Sequence, residues 1–233
     1  GHAYFLGRTF TPGAAAWVSR SDDGGKTWVA QGNPWINPSA GEENQDGPFI
    51  TNPKTDEIAV VYNCPTTDAS PVSTPTGHAV CVSISKDLGL TWTSHPAARA
   101  EVTVGNDFAG LAADTAGNWY VAYAETTKDG TVLKWATSPD GGRWTEPKIL
   151  VEGPGNRMFP WIVAGDAGRI AIAWYGTETP GNTNDQTAMK SAKWDLKIAI
   201  SVNALDAVPT FEIAKATELP VHTGTISTQG FDP

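Results

Sequence analysis

The sequence predicts an all-β protein, and three observations lead to that prediction. Its 233 residues include 24 glycines, 17 prolines and 10 tryptophans, which divide the chain into short runs rich in valine, isoleucine, threonine and aromatic residues. No apolar pattern with the 3.6-residue period of a helix extends along the chain. Three strand-like runs also align with one another, namely EIAVVY ending at Tyr62, NWYVAY ending at Tyr123 and RIAIAW ending at Trp174.

Each aligned run belongs to a repeated unit of four strands. A short apolar run and a tight turn precede it, and the strand after it ends at a serine, in VCVSIS and LKWATS. An earlier strand, WVSRS, has the same ending. Units of four antiparallel strands that recur every 50 to 60 residues are typical of β-propeller blades. We predict four blades, at residues 2–31, 46–96, 106–150 and 157–216, with residues 217–233 as a linking or closing strand.

One motif recurs where the third strand of a unit turns into the fourth. It is SDDGGKTW at Ser21–Trp28 and SKDLGLTW at Ser85–Trp92, and a shorter copy without the threonine, SPDGGRW, lies at Ser138–Trp144. The fourth unit has only the degenerate SVNALD at Ser201–Asp206. The pattern S-x-D-x-G-x-T-W resembles the Asp box, or bacterial neuraminidase repeat, of sialidases and other secreted propellers. The resemblance covers nearly the whole chain and implies a sialidase-like propeller.

The chemistry of the motif indicates a structural role for it. Gly25 and Gly89 can adopt the positive φ of a compact turn, and the serine and aspartate can accept backbone N–H groups. The tryptophan is expected to pack between blades. The predicted structural positions are Ser21, Asp23, Gly25, Thr27, Trp28, Ser85, Asp87, Gly89, Thr91, Trp92, Ser138, Asp140, Gly142 and Trp144.

Two alternatives remain for the closure of the propeller. The first blade lacks its innermost strand, and the final STQGFDP resembles the inner segment FITNP. The tail would then pair with the strand at Ala3–Thr9 and close a ring of four blades, leaving no edge unpaired. Alternatively, the chain is part of a six-bladed propeller, which we favour because the resembled families close with six blades.

Two cysteines predict a disulfide within the second blade. Cys64 and Cys81 lie in two strand-like runs joined by a loop rich in proline, threonine and serine, and a bridge there would contribute about 3 kcal/mol. Two buried free thiols are the alternative. A disulfide implies an extracellular or periplasmic location, and the resemblance points to a bacterial source. No apolar run approaches the roughly 20 residues that span a membrane, so we expect no membrane insertion.

The charge balance excludes one class of partner. A net charge of −9 and a pI near 4.8 are unlike the clustered lysines and arginines of a nucleic-acid-binding surface. We expect no cofactor. Acidic loops can hold Ca²⁺, but no EF-hand-type spacing is present, so we assign no metal ligands. The oligomeric state stays open.

Strand order predicts which edge of the propeller is functional. The motif turns share one edge, the box rim, with the short turns between first and second strands. Longer, irregular connections lie on the opposite edge, the loop rim, where binding and chemistry usually reside. The candidate residues on the loop rim are Trp35, Asp46, Asp107, Glu125, Arg157 and Tyr175.

Two functions are compatible with this rim. A retaining sialidase needs three arginines for the substrate carboxylate, and only Arg8, Arg99 and Arg157 lie away from the box rim. The many acidic residues of the loop rim would repel such a substrate. We therefore favour a module that binds a glycan or an extracellular protein, with Trp35 and these arginines as ligand contacts. The alternative is a glycoside hydrolase, sialidase-like or specific for a neutral glycan, with catalytic candidates Asp46, Asp107, Glu125 and Tyr175.

Overall fold

The computed structural model describes residues 1–8, 16–34, 46–65, 78–98 and 108–226. Within these ranges it describes every side chain except those of Arg8, Asp46, Pro65 and His78. The described chain is almost entirely β-structure, arranged in four antiparallel sheets of consecutive strands. This confirms the predicted all-β fold of propeller blades.

The four sheets follow one another along the chain. The first contains β1 (Ala3–Arg8), β2 (Ala16–Ser21) and β3 (Val29–Ala30), and the second contains β4 (Asp46–Thr51), β5 (Ile58–Pro65), β6 (His78–Ser85) and β7 (Thr93–Ala98). The third contains β8 (Gly110–Ala113), β9 (Trp119–Thr127), β10 (Gly130–Ser138) and β11 (Lys148–Val151). The fourth contains β12 (Asn156–Ala164), β13 (Ile170–Thr177), β14 (Lys193–Ser201) and β15 (Glu212–Lys215), and β16 (His222–Thr223) also pairs with β14.

Consecutive blades bury their faces against each other. Side chains alternate across a strand, so β9 sends Trp119, Val121 and Tyr123 toward the second blade and Tyr120 and Ala122 toward the fourth. Residues 119–124 are all buried because a blade covers each face of this sheet. The sequence WYVAYA at residues 119–124 is therefore a continuous run without charged or amide side chains.

The first blade packs on the second through a smaller cluster. Ala16 and Leu6 contact Tyr62, Cys64 and Cys81. Cys64 and Cys81 form a disulfide between β5 and β6, as predicted. The bond indicates that the protein folds in an oxidising compartment.

A buried carboxylate joins the third and fourth blades at the box rim. Asp114, in the turn between β8 and β9, accepts hydrogen bonds from the backbone N–H groups of Ala116 (2.9 Å) and Asn118 (2.9 Å). It also accepts from the Tyr120 hydroxyl at 2.6 Å and, across the blade boundary, from the Gly168 N–H at 3.1 Å. These bonds lock the turn of one blade onto the turn of the next.

The connections of the fourth blade include the single helix found in the described residues. This helix, α1 (Gln186–Met189), is one turn long, and Asp185 caps its N-terminus by accepting from the backbone N–H groups of Thr187 and Ala188. No helix in the described ranges has the length and apolarity needed to cross a membrane. The predicted pairing of the tail with the first strand involves Thr9 and residues 227–233, which lie outside the described residues.

Candidate functional site

The motif turns contain the hydrogen bonds predicted from their sequence. In the first, Asp23 Oδ1 accepts from the backbone N–H groups of Lys26 and Thr27, both at 2.9 Å, and Ser21 Oγ accepts from the Gly25 N–H at 2.8 Å. The Trp28 indole N–H donates to the Gly25 carbonyl at 3.1 Å. The residues that recur in the motif copies therefore close this turn through hydrogen bonds.

The second motif turn repeats this arrangement almost bond for bond. Asp87 Oδ1 accepts from the Thr91 N–H at 2.8 Å, and Ser85 Oγ accepts from the Gly89 N–H at 2.8 Å. The glycines of the two turns, Gly25 and Gly89, have φ of 89° and 95°, the left-handed conformation that was expected of them.

The shorter third turn and the degenerate fourth turn are variations of this design. In the third, Asp140 accepts from the N–H groups of Gly142 and Arg143, and the positive φ of 71° falls on Gly141 rather than on Gly142. In the fourth, Asn203 takes the place of the aspartate, and its Oδ1 accepts from the Thr210 N–H at 3.0 Å. The fourth unit thus retains a related turn.

Hydrogen bonding keeps the motif carboxylates ionised. The Thr27 N–H, followed by the hydroxyls of Thr27 and Ser21, lowers the pKa of Asp23 to about 2. The Arg143 N–H lowers the pKa of Asp140 to about 2. The Thr91 hydroxyl and N–H lower the pKa of Asp87. Groups that hold no proton near neutral pH do not serve as general acids there, which supports a structural role.

The exposure of Trp28 corrects one expectation about the motif. Trp28 was expected to pack between blades, but 46% of its surface is exposed. Trp144 packs against the core between the second and third blades, and Trp92 is half-buried. Trp28 differs because it belongs to the first blade, where no described residues form a preceding blade.

A surface cleft of 470 Å³ lies on the box rim between the second and third motif turns. Its walls include Lys86, Thr91 and His95 together with the carboxylates of Asp87 and Asp140. Both carboxylates are already hydrogen-bonded within their own turns. The cleft therefore offers charged walls but no carboxyl group free for proton transfer.

On the loop rim, backbone carbonyls surround the side chain of Arg157. This side chain is buried, and its guanidinium donates to the carbonyls of Thr131 (3.1 Å), Gly153 (2.9 Å), Gly155 (2.9 Å) and Glu152 (3.3 Å). Burial lowers the pKa of Arg157. Since backbone carbonyls of residues 131, 152, 153 and 155 accept from it, Arg157 fastens the β11–β12 connection to the third blade.

Two carboxylates of the loop rim are paired with lysines that the sequence did not single out. Lys134 forms an ion pair with Glu125 at 2.5 Å, and both side chains are largely shielded from solvent. Lys197 forms an ion pair with Glu178 at 2.8 Å, and this contact lowers the pKa of Glu178. The described part of the rim is therefore less acidic than its carboxylate content suggests. Lys134 lies in β10 beside Glu125 of β9, and Lys197 lies in β14 beside β13, which ends just before Glu178, so the pairings depend on how these strands lie together.

Tyr175 lies in an aromatic pair near the end of β13. Its ring meets Phe159 edge-on with the centroids 6.4 Å apart, and its side chain is exposed. Phe159 has φ of 53° and occupies a bulge in β12 between Met158 and Trp161. The bulge brings an aromatic side chain of the innermost strand to the tyrosine.

The remaining candidates are only partly described. Asp46 begins β4 opposite Tyr62, and Arg8 ends β1 opposite Ala16, but their side chains are outside the description. Trp35, Arg99 and Asp107 lie outside the described residues. Among the residues that are described, no three His, Cys, Asp or Glu side chains form a group able to hold a metal ion.

Comparisons with known proteins identify the fold. No protein-family model matches the sequence. No curated protein matches it either. An alpha-L-arabinanase of Penicillium chrysogenum, solved with arabinobiose, is similar with a TM-score of 0.61 and 14% identity over 91% of this chain and 63% of its own. The fold is that of propeller glycoside hydrolases.

Two further structures support this fold assignment. An alpha-L-arabinofuranosidase of Fusarium graminearum with arabinobiose has a TM-score of 0.61 and 14% identity over 90% of this chain and 62% of its own. A leech intramolecular trans-sialidase with 2,7-anhydro-Neu5Ac has a TM-score of 0.55 and 15% identity over 91% of this chain and 30% of its own. This chain spans less than two thirds of the length of each of these structures.

Proposed function

We propose that the protein is an Asp-box-type propeller that binds a neutral glycan at its loop rim. The fold is similar to that of two enzymes whose structures hold arabinobiose, which supports a carbohydrate ligand. The closed motif turns on the box rim support the opposite rim as the functional one, because long loops on a rigid scaffold commonly carry binding sites.

The bonding of Arg157 is the observation that favours a neutral ligand. A sialic acid carboxylate needs several convergent arginines, and Arg157 was one of three candidates. Its guanidinium donates to four backbone carbonyls, so recruiting it would leave buried acceptors without partners. A neutral sugar has no carboxylate and therefore needs no cluster of arginines. Glu125, Lys134 and Tyr175 are the described side chains that we assign to the site.

A binding measurement tests this proposal. We expect isothermal titration calorimetry to detect binding of arabino-oligosaccharides or of another neutral oligosaccharide. It should detect no binding of sialyllactose. Glu125→Gln should weaken the affinity at least several-fold, because it replaces a carboxylate acceptor by an amide and removes the ion pair with Lys134. Asp87→Asn, on the box rim, is the matched control and should leave affinity unchanged. Tight binding of sialyllactose would contradict the proposal, and a blank result with every glycan would favour a protein ligand.

Hydrolysis is the second candidate function, supported by the enzymes that share the fold. It requires two carboxyl groups flanking the scissile bond. We propose Glu125 as one of them, with Asp46 or Asp107 as the second. Chromatography of oligosaccharide digests distinguishes the two functions. If the protein is a hydrolase, the wild type should release products, and Glu125→Gln should release none even at concentrations that compensate for its weaker binding. An oligosaccharide left intact by the wild type would identify a binding module.

We also propose that the protein is exported by a bacterial cell. The disulfide between Cys64 and Cys81 supports an oxidising location, and the Asp-box pattern resembles secreted bacterial propellers. Fractionation of the producing cells, with immunodetection of the protein, tests the location. Recovery in the cytosolic fraction with both thiols free to alkylation would contradict it.

A further inference from the structure

The first and second blades are joined at the box rim by the residues that follow β3. The Gly32 N–H donates to the Gly89 carbonyl of the second motif turn at 2.7 Å. A Cβ added to Gly32 would collide with the Leu90 carbonyl of the same turn. The two blades are therefore in direct backbone contact there, with no room for a side chain at position 32.

Two departures from the repeat distinguish the equivalent place between the second and third blades. Counted from the motif tryptophans, Pro96 takes the position of Gly32, and proline has no N–H to donate. The third motif turn is also one residue shorter than the second. The cleft of 470 Å³ lies here, between the two turns, and its volume is in the range of sites that hold a small molecule.

The wall that β7 contributes to this cleft carries two polar side chains with unused hydrogen-bonding groups. Neither the Thr93 hydroxyl nor the His95 ring forms a hydrogen bond with the residues that the structure describes. A Cβ added to Gly142 would lie 3.5 Å from the His95 ring, so the imidazole stands beside the third motif turn. Both groups can donate to and accept from the hydroxyl groups of a ligand.

Asp140 supplies a carboxylate oxygen at the opposite wall. In the first and second motif turns, the Oδ2 atom of the aspartate accepts from the hydroxyl of Thr27 at 2.7 Å and of Thr91 at 2.6 Å. The third turn lacks this threonine, and Asp140 Oδ2 accepts instead from Arg143 Nε at 3.2 Å. The Arg143 side chain is 87% exposed. Since exposed ion pairs contribute little to stability, a ligand cation can share or replace this contact.

The charges of the cleft favour a cation. Asp87 and Asp140 both line it, and hydrogen bonds within their turns lower the pKa of each and keep them ionised. Lys86 also lines it, but its ammonium pairs with Glu57 at 3.0 Å. The net charge of −9 adds to the attraction. Because no three His, Cys, Asp or Glu side chains in the described part of the chain can hold a metal ion, an organic cation fits better.

We propose that this cleft binds an amino sugar through its protonated amine. The ammonium donates to Asp140 Oδ2, and neighbouring sugar hydroxyl groups bond to Thr93 and His95. A lysine or arginine of a partner protein fits less well, because its aliphatic stem packs on apolar surface. Ile84 is the apolar side chain of the lining, and it is only 4% exposed. This site is separate from the loop rim and does not depend on what binds there.

A titration followed by NMR at the His95 ring tests the role of the amine. This signal, assigned with a His95→Gln variant, reports on the cleft and not on the loop rim. At about pH 6, where an amine is protonated, the β-1,4-linked disaccharide of glucosamine should shift it saturably. The di-N-acetylated disaccharide, which has no charge, should bind there at least about ten-fold more weakly. Equal effects of the two sugars, or no effect of either, would overturn the proposal.

A matched pair of variants tests the contact with Asp140. Asp140→Asn should weaken binding at least about five-fold, because an amide oxygen keeps the turn hydrogen bonds but loses the charge. Asp23→Asn, at the same position of the first motif turn and away from the cleft, is the control and should leave the affinity unchanged. Unchanged binding by Asp140→Asn, or equal losses in both variants, would contradict the assignment.

A peptide competitor distinguishes the two sources of a cation. Trilysine should shift the His95 signal less than the amino disaccharide does at the same concentration, because it has no hydroxyl groups for Thr93 and His95. A larger shift with trilysine would assign the cleft to a basic protein partner and would overturn the proposal.

Discussion

Asp114 shows how a buried charge is stabilised in this fold. Burial works to raise the pKa of this carboxyl group, but hydrogen bonds from Tyr120, Asn118 and Gly168 outweigh it, so the pKa is lowered overall. Burial, followed by the same bond to Asp114, raises the pKa of Tyr120, which therefore stays protonated as the donor. The carboxylate is tolerated because nearby groups satisfy it in place of water.

Replacing Asp114 should destabilise the protein strongly. Asp114→Ala leaves the buried Tyr120 hydroxyl and the partly buried N–H groups of Ala116 and Asn118 without this acceptor, which should cost about 3 kcal/mol of the free energy of unfolding. Urea denaturation followed by tryptophan fluorescence measures this loss. Asp166→Ala, an exposed aspartate in the neighbouring β12–β13 turn, is the control and should change stability by less than about 0.5 kcal/mol. Equal effects of the two variants would contradict the role of Asp114.

Arg157 should likewise behave as a structural residue. Arg157→Lys keeps the charge but cannot reach four carbonyls at once, so we expect a loss of about 1–2 kcal/mol in stability. The affinity of the folded variant for a neutral oligosaccharide should not change. Denaturation and calorimetry on the same preparation measure both properties. A large loss of affinity with unchanged stability would contradict this prediction and indicate that Arg157 contacts the ligand.

These residues also show which contacts a sequence can predict. The bonds of Asp23 all lie within the turn Ser21–Trp28, so the order of residues was enough to predict them. Arg157 depends on Thr131, a residue 26 positions away in the neighbouring blade. Its exposure could not be predicted because a blade boundary decides it.

At the scale of strands and turns, the internal repeat made it possible to predict the positions of the strands. Aligning the runs that end at Tyr62, Tyr123 and Trp174 predicted β5, β9 and β13, since each run precedes a strand ending at a serine. The bulge at Phe159 was not predicted. Its positive φ is unusual for an aromatic residue. No glycine stands at this position to indicate a left-handed conformation.

The disulfide should stabilise the pairing of β5 with β6. The double variant Cys64→Ala, Cys81→Ala should lose about 3 kcal/mol, because the bridge closes a loop with a sequence separation of 17 residues. Thermal unfolding with and without dithiothreitol measures the effect. The reductant should lower the melting temperature of the wild type and leave the double variant unchanged. An unchanged wild type, with reduction verified by mass, would contradict this contribution.

At the scale of the whole molecule, blade number is what the sequence alone left open. The repeat predicts how one blade packs on the next, but it does not say how many blades close the ring. The cleft between the second and third motif turns was not predicted either, because it depends on how two neighbouring blades lie together. The loop rim was equally hard to predict, because its ion pairs join residues of neighbouring strands whose register the sequence does not specify.

The carboxylates of the box rim should make the stability of the whole molecule depend on pH below about 4. Asp23, Asp87, Asp114 and Asp140 all have lowered pKa values in the folded protein, about 2 for Asp23 and for Asp140. In the unfolded chain their pKa is about 3.9. The unfolded state therefore binds more protons between these values, and the free energy of unfolding falls as pH decreases. The contribution is complete above about pH 4 and is lost as the pH falls toward 2.

Urea denaturation at a series of pH values between 2 and 6 measures this dependence. The acid limb is the fall in the free energy of unfolding below about pH 4. The Asp→Asn substitutions at Asp23, Asp87 and Asp140 should make it less steep, because an amide oxygen still accepts the turn hydrogen bonds but does not titrate. The limb should persist in 0.5 M NaCl, since short hydrogen bonds rather than distant charges lower these pKa values. A limb that is unchanged in the triple variant, or one that disappears in salt, would show that long-range charge, and not the turn bonds, controls acid unfolding.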